Sequence, residues 1–297
     1  MESKLSFFGL TDEPFRLTPD VEYFYPSSSH QEALELLSFF IKDGDGFALL
    51  TGYPGTGKTT LLRKFLESLP KEWEFALIVT PMLSPKELIK SILNDLNIQS
   101  KGDDLSENLD IFQEHLLKLA RENKKLLLII DEAQSLPIES LEQIRLLSNI
   151  EMKSVKPLQI LLVGQPELEK MVEKQVRQLN QRITVRAYLM PLSEEETSDY
   201  IQYRMAKANG SVSFEKAARS EIFKRTQGIP RLINSIMKRV LFLAYSKKRR
   251  TITREDIKNA AESLGLKLED IKISIAIGII IATVVLMIIM FYFYGRF

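Results

Sequence analysis

The chain has 297 residues, of which 27% are charged and 45% are hydrophobic, so it can form a packed core and is neither disordered nor collagen-like. Forty Lys and Arg residues against 39 Asp and Glu residues give a net charge of +1, which argues against a protein that coats nucleic acid. Zero cysteines exclude disulfides, zinc ribbons and thiol catalysis, and two histidines are too few for a histidine-rich metal site.

Short apolar runs alternate with helical stretches up to about residue 190, a pattern typical of a parallel sheet covered by helices. Each run is nearly continuously apolar, as expected where both faces of a sheet are covered. The predicted strands are 47–51, 74–80, 126–131, 158–164 and 184–189, and the predicted helices between them are 30–42, 58–69, 85–97, 105–122 and 138–150. We therefore expect an α/β domain over residues 1–190.

After Pro191 we expect no further strands, and the predicted helices are 193–207, 214–226, 230–246 and 253–264. Two of these helices begin with the pattern of a capping box, Ser193 with Glu196 and Thr253 with Asp256. This part is predicted to be an all-helical subdomain over residues 191–266, followed by a linker at 267–272.

Residues 273–294 carry no charged side chain and would span about 33 Å as a helix, enough to cross a bilayer. The alternative is a buried core helix. We expect a transmembrane helix that leaves residues 295–297 as a short tail on the far side. Basic residues precede the span and Arg296 alone follows it, which predicts a single-pass protein of the inner membrane with its larger part in the cytoplasm.

The strongest motif matches G-x-x-x-x-G-K-[ST] and lies directly between a predicted strand and a predicted helix. Its glycines let consecutive backbone N–H groups point at phosphate oxygens, and the helix N-terminus adds a favourable partial charge. Lys58 is expected to reach the β- and γ-phosphates of ATP, and Thr59 to bind Mg²⁺. The expected nucleotide-binding residues of the loop are Gly52, Tyr53, Pro54, Gly55, Thr56, Gly57, Lys58, Thr59 and Thr60.

The apolar run 126–131 ends in Asp131, which is followed by Glu132. A strand that delivers Asp131 beside the phosphate loop would hold the hydration shell of Mg²⁺. Glu132 can orient and deprotonate the attacking water, which predicts hydrolysis of ATP rather than binding alone. The alternative is that both carboxylates cap the next helix.

Three further polar residues lie at the ends of predicted elements. Gln165, after the strand 158–164, can hydrogen-bond the γ-phosphate or the attacking water; otherwise it is a turn residue. Arg182 is the best candidate for an arginine finger, supplied to a neighbouring subunit; otherwise it forms a structural salt bridge. Arg231, at the start of a helix, can fold onto the nucleotide; otherwise it is an ordinary cation in a first turn.

In this order the motifs resemble those of AAA+ ATPases, with Walker A, Walker B, sensor 1, arginine finger and sensor 2. More narrowly, the chain resembles the general secretion pathway protein A family over roughly residues 5–265. That resemblance rests on FFGL at 7–10, EPF at 13–15, TPD at 18–20, YFY at 23–25, SHQEAL at 29–34, DEAQ at 131–134 and GQPEL at 164–168. It implies a P-loop AAA+ fold with a helical lid, and an amino-terminal segment near the adenine around 25–30. Aromatic packing on the sheet edge would explain that segment equally well.

Together with these features, the resemblance implies a membrane-anchored ATPase that assembles or regulates an envelope secretion or export complex, such as type II secretion; another envelope export or polysaccharide apparatus is an equal alternative. We expect a homo-oligomer, in the form of a ring, in contact with inner-membrane lipid. Members of the resembled family usually continue beyond the membrane segment; this sequence ends at residue 297, so direct cell-wall binding is not expected. The alternatives are a scaffold that binds ATP without turnover, or an ATPase acting on DNA through the basic run 247–250. That run can also be a solvated turn or contact anionic lipid, and the predicted anchor disfavours nucleic acid as a partner.

Overall fold

The five apolar runs of the first 190 residues form five strands of one parallel sheet, as predicted. In the computed structural model, which describes residues 3–43, 45–79, 82–150 and 156–266, the strands are β1 Phe47–Gly52, β2 Trp73–Ile78, β3 Lys125–Ile130, β4 Leu158–Gly164 and β5 Ile183–Leu189. Their order in space is β2-β3-β4-β1-β5, and every neighbouring pair is parallel. The carboxyl ends of all five strands therefore meet at one edge, where ligands bind in sheets of this kind.

Helices connect and flank the strands. They are α1 Lys4–Phe7, α2 Ser28–Asp43, α3 Lys58–Glu67, α4 Pro85–Asp95, α5 Leu105–Arg121, α6 Ile138–Leu147, α7 Pro166–Gln175, α8 Arg177–Asn180, α9 Glu194–Lys207, α10 Lys216–Thr226, α11 Pro230–Ser246 and α12 Arg254–Ser263. The sequence did not predict α1, α7 or α8. Helix α7 buries only Leu168 and Val172, which are too few apolar positions for a helical period to be visible.

The sheet separates two hydrophobic cores. Alternate residues of β3 point to opposite faces, as the period of a strand requires. Leu128 and Ile130 pack in the core that contains side chains of α4, α5 and α6, such as Phe112. Leu127 and Ile129 pack in the core that contains side chains of α2 and α3. Helices therefore cover both faces, which explains why the inner strands β1, β3 and β4 are buried along nearly their whole length.

The described chain divides into two units. The α/β unit contains Arg16–Leu192 together with Ile229–Arg231, and so includes the whole five-stranded sheet. The helical unit contains the residues up to Phe15, Ser193–Gly228 and the residues from Leu232 onward.

The helical unit is not all-helical, contrary to the prediction. Two short parallel strands, β6 Ser213–Phe214 and β7 Thr251–Ile252, pair within it. Two residues are too few to show the alternation by which a strand is recognised in a sequence. The two predicted capping boxes, Ser193 with Glu196 and Thr253 with Asp256, are both present.

The basic run 247–250 is engaged by groups within the helical unit. Lys247 and Arg249 lie 3.5 and 2.6 Å from the buried carboxylate of Asp256. The other two cations lie over aromatic rings: Lys248 over Phe7 and Tyr245, and Arg250 over Phe7. The run therefore helps to hold α1 and α12 in place, rather than forming a purely solvated turn.

None of the helices in the described ranges is both long and apolar enough to cross a membrane. The predicted transmembrane helix at 273–294 lies outside those ranges, as do the linker 267–272 and the tail 295–297.

Candidate nucleotide-binding site

The predicted phosphate loop and both carboxylates lie at the carboxyl edge of the sheet. Gly52 ends β1, Asp131 and Glu132 follow β3, and Gln165 follows β4. Because β4 lies between β3 and β1, these residues come from three adjacent strands. The backbone N–H of Asp131 also donates to the carbonyl of Ile78, at the end of β2, over 2.8 Å. The sheet itself thus brings together residues that are far apart in the sequence.

Two glycines give the phosphate loop its curvature. Gly55 and Gly57 have φ angles of +84° and +107°, which side-chain-bearing residues rarely adopt. A Cβ atom on Gly55 would lie 2.7 Å from the Cβ of Arg231, and one on Gly57 would lie 2.8 Å from the Nε2 of His30. Arg231 and His30 therefore contact the loop at the glycines themselves. The N–H of Arg231 also donates to the carbonyl of Gly55 over 3.2 Å.

The remaining loop residues support this shape. Thr56 is buried, and its hydroxyl donates to the carbonyl of Tyr53 over 2.8 Å. Tyr53 itself is half exposed, Pro54 is exposed, and Thr60 is partly buried on the first turn of α3. The loop is therefore held from within by its own hydroxyl and carbonyl groups.

Lys58 is the first residue of α3, and its side chain is only 7% exposed. Its ammonium group donates to the carbonyls of Gly52 and Tyr53, over 2.8 and 3.3 Å. Burial lowers the pKa of Lys58 below its ordinary value, and the nearby carboxylates of Glu132 and Asp131 partly oppose that effect. The structure therefore places a nearly desolvated cation directly beneath the phosphate loop.

Asp131 is also 7% exposed, and burial raises the pKa of its carboxyl group above the ordinary value. The hydroxyl of Thr59 and the backbone N–H of Glu132 both hydrogen-bond this carboxyl group, the latter over 2.9 Å. Thr59 and Asp131, the two residues predicted to hold Mg²⁺, thus lie in direct contact. Oxygen donors of this kind suit a small divalent cation.

Glu132 occupies a left-handed backbone conformation, with φ of +51°. One carboxylate oxygen, Oε2, accepts hydrogen bonds from the side-chain amides of Gln134, over 2.6 Å, and Gln165, over 3.3 Å. The side chain of Glu132 makes no hydrogen bond that would cap the short helical turn after it. Gln165 is not a solvated turn residue either, since its amide contacts the candidate general base.

Arg182 lies at the amino ends of the strands, whereas the phosphate loop lies at their carboxyl ends. It precedes β5, whose first residue Ile183 pairs with Phe47 at the start of β1. Five strand steps of about 3.3 Å separate Phe47 from Gly52, so Arg182 lies roughly 17 Å along the sheet from the loop. Its guanidinium donates to the hydroxyl of Ser148 over 2.8 Å and pairs with no carboxylate in the described ranges.

A cavity of about 600 Å³ adjoins Arg182. Lys156 also lines it and pairs with Asp45 over 2.9 Å. Arg182 and Lys156 thus line one cavity at the amino ends of the strands, away from the chain's own phosphate loop.

The residues at the carboxyl edge fit a nucleotide with a bound Mg²⁺ ion. The positive φ angles of the two glycines give the loop its curvature, Lys58 supplies a cation, and Thr59 with Asp131 supplies the oxygen donors. No cluster of three carboxylate or imidazole side chains in the described ranges could hold an ion by itself. At nucleotide sites Mg²⁺ usually takes one or two carboxylates together with phosphate oxygens and waters.

Sequence reasoning missed three contacts of this unit: Gln134 with Glu132, His30 with the phosphate loop, and Ser148 with Arg182. Gln134 lies only two residues after Glu132 and belongs to the DEAQ pattern, so the sequence contained a signal for the first of these contacts. The other two contacts join distant segments, and no spacing in the sequence marks them.

Comparison with known proteins agrees with this geometry. The AAA domain family matches residues 41–172 of the chain. General secretion pathway protein A of Aeromonas hydrophila is 41% identical over 259 residues, which cover 86% of this chain and 47% of that protein. The chain thus spans about half the length of the curated relative it matches.

Two solved structures show the same fold. The ADP form of the Aeropyrum pernix ORC2 protein superposes with a TM-score of 0.62 at 20% identity, covering 78% of this chain and 67% of that one. The Aeropyrum pernix ORC1 protein, solved in complex with DNA, superposes with a TM-score of 0.63 at 16% identity, covering 89% and 71%. At such identities the likeness concerns the fold.

Proposed function

From the premise that this chain is an AAA+ ATPase related to general secretion pathway protein A, we propose that it hydrolyses ATP with Mg²⁺ at the carboxyl edge of its sheet. The observation that carries the proposal is the meeting of Lys58, at the start of the helix after β1, with Asp131 and Glu132, which follow β3. In this proposal the loop N–H groups and Lys58 bind the phosphates, and Arg231 contacts the nucleotide from the side of Gly55.

Thr59 and Asp131 are the residues that would hold Mg²⁺, which neutralises charge on the phosphate oxygens when it is bound. Glu132 then accepts the proton of the attacking water, and Gln165 orients that water or the γ-phosphate. The raised pKa of Asp131 supports this assignment, because a carboxylate buried without a full set of partners is stabilised by a cation.

Arg182 acts in a neighbouring copy of the chain in this proposal. Its position about 17 Å along the sheet from the phosphate loop prevents it from serving its own nucleotide, and a cavity lies beside it. Among the described residues the guanidinium bonds a serine hydroxyl and no carboxylate, so it is available to a phosphate at little cost. We therefore propose a ring-shaped homo-oligomer with composite sites.

In the cell we propose that the ATPase faces the cytoplasm, that residues 273–294 anchor it in the inner membrane, and that residues 191–266 form a lid. Its work is to assemble or regulate envelope secretion machinery, as the name of the relative suggests. A DNA-acting role has weaker support, since fold likeness does not carry function and the basic run 247–250 is engaged within the helical unit. Copurification of DNA with the chain would favour the DNA-acting role over the secretion role.

The test measures release of phosphate from ATP by the purified chain, with and without Mg²⁺. We expect turnover to require Mg²⁺ and to be lost in Lys58→Ala and Asp131→Ala, because both remove charges that stabilise the transferring phosphoryl group. Glu132→Gln should bind ATP and retain it, with hydrolysis slowed to a small residual rate. A Lys58→Ala protein that hydrolyses ATP at the wild-type rate contradicts the assignment.

Partners are tested by affinity purification of Glu132→Gln, which holds ATP-bound assemblies together, with Lys58→Ala as the control that cannot form them. Envelope proteins recovered with the first variant and not the second support the secretion role. Recovery of DNA or a transposase instead would contradict it.

A further inference from the structure

The side chain of Gln134 connects the candidate general base to the end of β4. Its amide nitrogen donates to Oε2 of Glu132 over 2.6 Å, and its amide oxygen accepts the backbone N–H of Gln165 over 3.1 Å. Gln134 is partly buried and lies just after Glu132 in the short helical turn Ala133–Ser135. One side chain therefore spans the gap between the segments that follow β3 and β4.

The orientation of this amide is determined by its partners. A backbone N–H can only donate, so the atom facing Gln165 must be the oxygen of Gln134. The nitrogen must then face Glu132, whose carboxylate can only accept while it is ionised. An amide turned by 180° would lose both hydrogen bonds.

Gly164 leaves room for this arrangement. A Cβ atom on Gly164 would lie 2.5 Å from the Oε1 of Gln134 and 2.8 Å from a methyl group of Leu168. Any larger residue at this position would displace the amide of Gln134. Because Gly164, the last residue of β4, has no side chain, the amide of Gln134 can lie against it.

Both hydrogen bonds to the Glu132 carboxylate fall on the same oxygen, Oε2. Within the part of the chain that the structure describes, no donor reaches the other oxygen, Oε1. The two amides therefore fix the plane of the carboxylate and leave one oxygen to receive a proton.

We propose that Gln134 is a positioning residue for Glu132 in ATP hydrolysis, an inference that rests on the function proposed above. Gln134 touches neither the phosphates nor the water; it acts by holding Oε2 so that Oε1 points at the attacking water. A base that is misplaced by an ångström loses much of its effect, so the hydrogen bond changes the rate of the chemical step rather than binding of ATP.

The kinetic test compares Gln134→Leu with the matched control Gln113→Leu, an exposed glutamine on α5, using the full chain in mild detergent. We expect Gln134→Leu to lower kcat by about 10- to 100-fold, while KM and the Kd of a fluorescent ATP analogue stay within about twofold. Gln134→His keeps one donor and one acceptor and should recover part of the rate. The control should retain wild-type values, and equal kcat in both leucine variants would overturn the proposal.

A second kinetic test separates positioning from general damage. In the Glu132→Gln background, Gln134→Leu should change the single-turnover rate by less than about twofold, because the group it positions is already gone. Gly164→Ala, which leaves Gln134 in the chain but displaces its amide, should reproduce the loss of kcat. A full, additive loss in the Glu132→Gln background would show a structural role and refute the inference.

A third measurement needs no turnover. Without the acceptor on Gln134, the backbone N–H of Gln165 should exchange with deuterium about 2- to 10-fold faster in the nucleotide-free chain. Unchanged exchange in Gln134→Leu would refute the bridge itself. Absence of ATPase activity in the wild-type chain, combined with faster exchange in the variant, would overturn the proposed function while supporting the bridge.

Discussion

Replacement of Gly57 by alanine tests the packing of His30 against the phosphate loop. Gly57 lies at the N-cap of α3 with φ of +107°, and a Cβ there would lie 2.8 Å from Nε2 of His30. His30 cannot easily move away, because the residue is 4% exposed, its Nδ1 lies 2.5 Å from the hydroxyl of Ser27, and its ring packs in a T-shaped contact with Phe24. The substitution therefore combines backbone strain with overpacking of a buried ring.

Both contributions have a known size. An alanine in left-handed backbone conformation costs about 1–2 kcal/mol. Overpacking a buried site adds about 1–3 kcal/mol, so Gly57→Ala should cost roughly 2–5 kcal/mol. For a unit of this size 1 kcal/mol corresponds to about 2–4 °C in Tm, which gives a decrease of roughly 4–20 °C. Gly102→Ala is the matched control, since its φ is +55° and nothing lies within 4 Å of its Cβ position. It should lose only about 2–8 °C, from the backbone strain alone.

The assay is thermal unfolding of the purified variants followed by circular dichroism, with binding of a fluorescent ATP analogue measured on the same samples. In a His30→Ala background the overpacking is gone, so Gly57→Ala should then lower Tm no more than Gly102→Ala does. If the two glycine variants lose the same Tm with His30 present, His30 does not pack against the loop as described. The same conclusion follows if His30→Ala leaves the loss from Gly57→Ala unchanged.

Three further predictions concern charge, assembly and the membrane. Because burial raises the pKa of Asp131 above its ordinary 3.8, the native chain binds more protons than the unfolded chain above that pH, and stability falls as pH rises through the raised pKa. Asp131→Asn should thus melt at a higher temperature than the wild type at neutral pH and at the same temperature below pH 3.8. A higher melting temperature of the variant at low pH only would contradict a raised pKa of Asp131. Mixing inactive Arg182→Ala with inactive Lys58→Ala chains should partly restore turnover, whereas no recovery at any ratio argues against composite sites. Removing residues 273–297 should release a folded ATPase from the membrane fraction, and protease added outside spheroplasts should spare that ATPase in the full-length protein.

The sheet could be predicted from the sequence because the three inner strands β1, β3 and β4 are buried on both faces. All five runs are mainly apolar, and their positions agree with the structure to within two residues. Helix α7 was missed because only Leu168 and Val172 are buried on it. The paired strands β6 and β7 were missed because a two-residue strand has no period, and the pairing partner lies almost forty residues away along the chain.

The phosphate loop, Asp131 and Glu132 were recognisable because their chemistry depends on short spacing: a glycine pattern between a strand and a helix, and two carboxylates directly after a strand. Local sequence determines such features, since the backbone conformation of a few consecutive residues creates them. Only the tertiary structure decided which distant groups meet this edge. Gln165 reaches Glu132 because parallel strands align their carboxyl ends, while His30 and Arg231 reach Gly57 and Gly55 from helices α2 and α11. Arg182 lies at the other ends of the strands because it precedes its strand instead of following it.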